Sequence, residues 1–259
     1  MRFSLFFALI VLAGACRNRP EAPTPPVVSA ALEAPLAAHG GLDTWRSFGT
    51  LDYDFTRGDG GDHQLIDLHT RRVRISNDAY TIGFDGKDVW ISPGKDALDY
   101  GAGPRFYSGT YFYFFSIPFV LADPGVHQEV LPPRILDGKT YDVVRCTFGA
   151  GTGDSPGDQY IAYFDPITHR LHLLLYTVTF GRTVDPDAEP HFGALLYDTW
   201  QTVDGLVVPE HAAYHKWEGD HLGDLRGEIS FANIHFSPES PDDTLFARPE
   251  DAVIDAMPQ

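Results

Sequence analysis

The chain is poor in sulfur and in positive charge: two Cys, two Met, and 19 Lys plus Arg against 36 Asp plus Glu in 259 residues. A formal charge of −17 argues against nucleic-acid binding, which draws its affinity from basic patches. It also argues against electrostatic docking on anionic lipid. The surplus of acid reads as a solvated surface, with a cationic partner as the alternative. Catalytic signatures are missing too. There is no Gly-x-Ser-x-Gly elbow, no Rossmann glycine fingerprint and no helical zinc-protease motif. The stretch Gly149–Gly157 is glycine-rich but lacks the Lys and Ser/Thr of a phosphate loop, and Asp154 within it would repel phosphate. No cofactor is expected.

The first sixteen residues carry an address. Arg2 gives a basic start, Phe3 to Val11 an apolar core, and Ala13 to Ala15 a small-residue exit, the layout of a secretory signal over residues 1–15. The apolar run is shorter than the roughly 20 residues of a spanning helix. Cys16 directly after the small residues resembles a bacterial lipobox, which implies cleavage before Cys16 and a diacylglycerol on its thiol. An ordinary signal peptide with an incidental Cys is the alternative. Cleavage would remove Arg2 and take the formal charge from −17 to −18. Residues 16–27 include Pro20, Pro23, Pro25 and Pro26, an extended tether. With Cys16 lipidated, Cys146 has no disulfide partner. It lies in an alternating run, Tyr141 to Phe148, and reads as a small core residue rather than a nucleophile.

Residues 28–259 read as a single domain. Val28 to Ala38 is helix-prone and stops at Gly40-Gly41. Strand signals then dominate: Leu51–Phe55, Val73–Ile75, Tyr80–Phe84, Val89–Ile91, Ile161–Phe164, Leu171–Val178, Leu195–Val203, Val207–Trp217 and Glu228–Phe236. Turns such as Asp85-Gly86-Lys87-Asp88, Asp165-Pro166 and Asp204-Gly205 join them into an antiparallel meander. Eighteen Phe, 12 Tyr and four Trp favour a sheet with a wide interior.

One segment breaks the pattern. Phe106 to Leu121 carries eight aromatics and no charge, and it is apolar in nearly every direction, so neither strand alternation nor one helical face accounts for it. Pro118 should end or kink any helix near Ile117. Three readings are open: a plug for the core, a wall of a lipid cavity, or a membrane-contacting lid.

Eleven His raise metal chemistry. His211 and His215 on one strand would face the same side about 13 Å apart, too far to share an ion. A metal-dependent hydrolase built from distant His63, His69, His211 and His215 stays open as an alternative. Asp52/Asp54 and Asp242/Asp243 read as solvent-facing or turn carboxylates.

Several stretches together resemble a family. They are Ala38-His-Gly-Gly-Leu-Asp-Thr-Trp45, Ile66 to Val73, Thr81 to Trp90, Gly103-Pro-Arg-Phe-Tyr107 with the aromatic segment, Ala122-Asp-Pro-Gly125 and Asp243-Thr-Leu-Phe246. These resemble an uncharacterised family of bacterial lipoproteins, the DUF6503 type, and more remotely the LolA/LolB group of lipoprotein carriers. The remoter resemblance implies a mainly β fold: a strongly curved antiparallel sheet, an incomplete barrel, with helices over its concave face and acyl chains held there. The expected function is a lipid-anchored envelope protein, at the outer membrane facing the periplasm, that binds a lipid or the acyl chains of a lipoprotein. It is expected to be non-enzymatic. Candidate ligand-binding residues are Trp45, Phe84, Trp90, Phe106, Tyr111, Phe112, Phe115 and Phe119. A scaffold that binds protein partners is the alternative from another class.

Overall fold

The described strands of this chain form one antiparallel sheet whose order is set by two long crossovers. The computed structural model describes residues 28–183 and 187–258, so the expected signal peptide, tether and Cys16 lie outside the described residues. Two short helices come first, α1 (Ala30–Ala38) and α2 (Leu42–Arg46). Ser29 caps α1 by accepting the Ala31 N–H. Gly40 and Gly41 then take φ of 102° and 92°, which glycine does without steric cost. A side chain at Gly40 would also strike the Gly205 carbonyl of a distant turn.

Among the described residues, thirteen strands follow in three groups. The first arm holds β1 (Thr50–Arg57), β2 (Gly60–Asp67), β3 (Val73–Ser76), β4 (Thr81–Phe84) and β5 (Val89–Ser92). The second holds β6 (Val126–Leu136), β7 (Lys139–Phe148), β8 (Gln159–Phe164), β9 (Leu171–Tyr176), β10 (Gly193–Val203), β11 (Leu206–Trp217) and β12 (Leu222–Ser237). The last strand, β13 (Val253–Asp255), adds to β5. The sheet order is β13-β5-β4-β3-β2-β1-β12-β11-β10-β9-β8-β7-β6. The chain therefore walks out from β1 to one edge, crosses to the far edge, and walks back until β12 closes against β1.

The first crossover carries α3 (Gly103–Ser116). Fourteen residues of helix measure about 21 Å. Side chains of α3 nevertheless touch both arms. Tyr107 bonds Asp62 of β2, and Phe114 meets Tyr176 of β9 and Tyr214 of β11. The helix also packs on β5, and β5 and β9 lie eight strand spacings apart in the sheet order, about 38 Å if the sheet were flat. The sheet curls around the helix, so the fold is the mainly β incomplete barrel with a helix across its concave face. As expected, α3 stops at Ser116, just before Ile117 and Pro118.

Strands β2 and β6 are absent from the sequence-based expectation. In β2 the inward positions include Asp62 and Gln64, both buried, so the apolar alternation of a half-buried strand is broken. In β6, Pro132 and Pro133 interrupt an edge strand, a place where missing N–H donors are tolerated. Strands β7 to β9 are apolar on both faces: Val144, Cys146, Ala162 and Leu174 face the main core. Tyr141, Val143, Tyr163 and Leu173 form a smaller cluster on the other side. Burial pushes the Cys146 thiol up to about 12, leaving it protonated and inert.

Candidate functional site

The concave face is solid at one end and hollow at the other. At the solid end, Trp45 of α2 stacks on Phe119 with ring centroids 4.6 Å apart, and Phe236 of β12 closes on Trp45 edge-on at 6.0 Å. Phe115 of α3 stacks on Tyr53 at 4.8 Å and meets Phe231 edge-on at 5.1 Å. Tyr197 donates its hydroxyl to the Phe114 carbonyl at 2.7 Å, holding the C-terminal end of α3. His39 is wedged here between Trp200 and Phe119. Its Nδ1 donates to the Val207 carbonyl and its Nε2 accepts the Leu171 N–H. Burial lowers its pKa to about 4, so the ring is the neutral tautomer that this pair of bonds requires.

The other end is held open by polar fasteners. Ala102, at the start of α3, offers no capping side chain. Asp255 of β13 takes that role, accepting the Arg105 N–H at 2.8 Å and an ion pair from Lys95. The Arg105 guanidinium grips Asp154 at 2.6 and 3.0 Å. One turn on, Tyr107 donates to Asp62, which also accepts from Tyr80 at 2.8 Å and Gln64 at 2.9 Å. Asp62 is only 6% exposed. Burial raises its pKa while the three donors oppose the rise. The same burial, with the Asp62 charge alongside, drives the Tyr107 phenol far above its ordinary value.

A hollow of about 390 Å³ lies on one flank of α3, between the helix, β3 to β5 and the β7–β9 side. Its apolar walls include Phe84, Phe106, Phe112, Phe148 and Phe180. Gly109 of α3 faces into it, and a Cβ placed there meets no atom within 4 Å. A glycine inside a helix costs about 1 kcal/mol relative to alanine. Here it leaves free the space that any other side chain would occupy. The rim is polar and its arginines are ion-paired, although the Arg71 Nη1 is buried without a hydrogen-bond partner. Arg71 binds Asp123 at 2.8 and 3.0 Å and lies over the Phe112 ring at 5.0 Å, and Arg105 binds Asp154. A second cleft, of about 720 Å³, opens on the opposite flank and is dominated by tyrosine.

The expected ligand residues divide accordingly. Phe84, Phe106 and Phe112 line the first hollow, and Phe106 and Tyr111 line the second. Trp45, Phe115 and Phe119 are not brought to either; they fill the solid end. Trp90 points away from α3. Its neighbours Val89 and Ile91 face the core, while its indole N–H donates to the Phe246 carbonyl and its ring sits where a Gly83 side chain would be. Phe148 and Phe180 of the wall carry no local sequence signal. They flank loops, and only the return of the second arm beside α3 brings them in.

The histidines stay separate. His63 bonds Asp54, His69 bonds Ser240, His211 bonds Asp198, and His215 bonds the Gly223 carbonyl. Among the described residues no group of three His, Cys, Asp or Glu is placed to hold a metal ion. Asp52 and Asp54 lie on the outer face of β1, where Asp52 also pairs with His235.

No protein-family model matches the chain, and no curated protein does. Solved structures to which the chain shows a likeness include a LolA superfamily protein of Nitrosomonas europaea, 9% identical over 77% of this chain and 88% of that one, TM-score 0.46. A DUF1329 family protein of Desulfovibrio piger is 11% identical over 85% of this chain and 98% of that one, TM-score 0.48. The Mycobacterium tuberculosis lipoprotein LppX is 10% identical over 80% and 96%, TM-score 0.25.

Proposed function

We propose that this chain is a non-enzymatic, lipid-anchored envelope protein of the DUF6503 type that holds a hydrophobic guest, a lipid or lipoprotein acyl chain, in the hollow beside α3. The observation that carries this reading is Gly109: the helix gives up stability at the position where a side chain would fill the apolar space. At about 390 Å³ the hollow falls in the range of small-molecule sites, about 300–1,000 Å³. Burial of a hydrocarbon chain contributes about 0.8 kcal/mol per methylene and needs area rather than a polar signature. Both rim arginines are ion-paired, Arg71 with Asp123 and Arg105 with Asp154. Anchoring through Cys16 at the outer membrane, facing the periplasm, completes the proposal.

The test is native mass spectrometry of protein purified without added lipid, with a fluorescent fatty-acid titration of wild type and Gly109→Leu. Wild type is expected to carry an apolar adduct or bind the probe. Gly109→Leu should bind at least about tenfold more weakly while folding normally. An empty wild type that ignores the probe, or a leucine variant that binds as well as wild type, would remove the reading.

A further inference from the structure

The second hollow differs in chemistry from the first. Tyr100, Tyr107 and Tyr111 form a mutual edge-to-face trio on its wall, with centroids 4.9, 5.1 and 6.3 Å apart. Tyr176 and Tyr214 meet edge-on at 6.4 Å opposite them. The partly exposed Tyr100 ring offers a negative face to an organic cation, whereas Tyr107 and Tyr111 are almost fully buried. The cleft already shows that attraction: the Arg57 guanidinium lies over the Tyr100 ring at 5.0 Å, tied by a single 3.2 Å bond to the Asp99 carbonyl. Charge around the cleft has the same sense. Asp59, Asp99 and Glu228 line it against Arg57 and Arg226, and Asp62 sits behind Tyr80 and Tyr107.

We infer that this tyrosine cleft is a recognition site for an organic ammonium group, with Arg57 as the intramolecular cation that holds its place. A carboxylate or phosphate would meet the excess of acid and the negative ring faces. A purely apolar guest would leave the phenolic edges and the carboxylates without use. The inference does not depend on the acyl-chain reading, because the probe, the cleft and the variants are different.

Binding is measured on the full chain by NMR with choline and with its neutral carbon isostere, 3,3-dimethylbutan-1-ol. Choline is expected to bind saturably and at least about fivefold more tightly than the alcohol. Tyr100→Leu should weaken choline by at least about threefold, and Tyr100→Phe, which keeps the ring, should preserve it. Arg57→Gln, which uncovers the ring, should tighten choline binding. Gly109→Leu should leave it unchanged, which separates this site from the other hollow. Equal binding of alcohol and choline, no saturable response at roughly 50 mM choline, or weaker choline binding in Arg57→Gln would each overturn the inference.

Discussion

Along α3, the C-terminal half and the N-terminal half both carry aromatic rings yet end in opposite environments. Phe115 packs against Tyr53 and Phe231, and Trp45 with Phe119 extends that filling past the end of the helix. About two turns earlier, Phe106 borders open space on both flanks and Gly109 borders it on one. The aromatic segment is thus both the plug and the wall. What separates the two roles is how many elements converge on each half. Near Phe115 the strands β1 and β12 contribute rings that touch it, whereas the rings around Gly109, among them Phe84, Phe112, Phe148 and Phe180, leave a hollow that the glycine does not fill.

The sharpest way to break this comparison is Phe115→Ala. A buried ring removed from a packed core costs about 3–5 kcal/mol, measured by urea unfolding, with fatty-acid affinity little changed. A cost below about 1 kcal/mol would mean that the solid end is not solid.

Acid should act on the solid end as well. His39 is neutral in the folded protein, with a pKa lowered by burial to about 4 from the ordinary 6.5. The unfolded chain therefore binds a proton that the folded one refuses as pH falls through 6.5. Stability should decline between pH 6.5 and 4 and level off below, by up to about 3 kcal/mol from this residue. An NMR titration of His39 with a midpoint at or above 6.5 would sink the assignment.

The smallest effect belongs to the open end. Tyr107→Phe removes one of three donors to Asp62 while Tyr80 and Gln64 remain, so the cost should be about 1–2 kcal/mol. The Asp62 carboxyl should titrate higher than in wild type, because a bond to its charged form is gone. If Asp62 titrates unchanged in carbonyl-detected NMR, the helix is not fastened there.

Much of this architecture was legible because it is local. Asp-Gly and Asp-Pro turns, alternation in β1 and β3, the Gly40-Gly41 stop and the Pro118 helix end each follow from a few neighbouring residues. Where polar residues take inward positions, as Asp62 and Gln64 do, or prolines sit on an edge, as in β6, the local pattern misleads. The candidate site was half legible. The aromatic run marked the segment that borders both hollows, but Trp90, one residue from the core-facing Val89, falls on the opposite face of its strand.

The sequence by itself determined that this chain makes a strand-rich meander interrupted by one aromatic, uncharged segment, because periodicity, turn chemistry and charge are properties of neighbouring residues. Only the tertiary structure decided where that segment is buried and where it borders empty space. The pairing of β12 with β1 and the curl of the sheet bring Phe148 and Phe180 beside Gly109. Contacts at such sequence separations are set by the packing of whole elements, which no local pattern encodes.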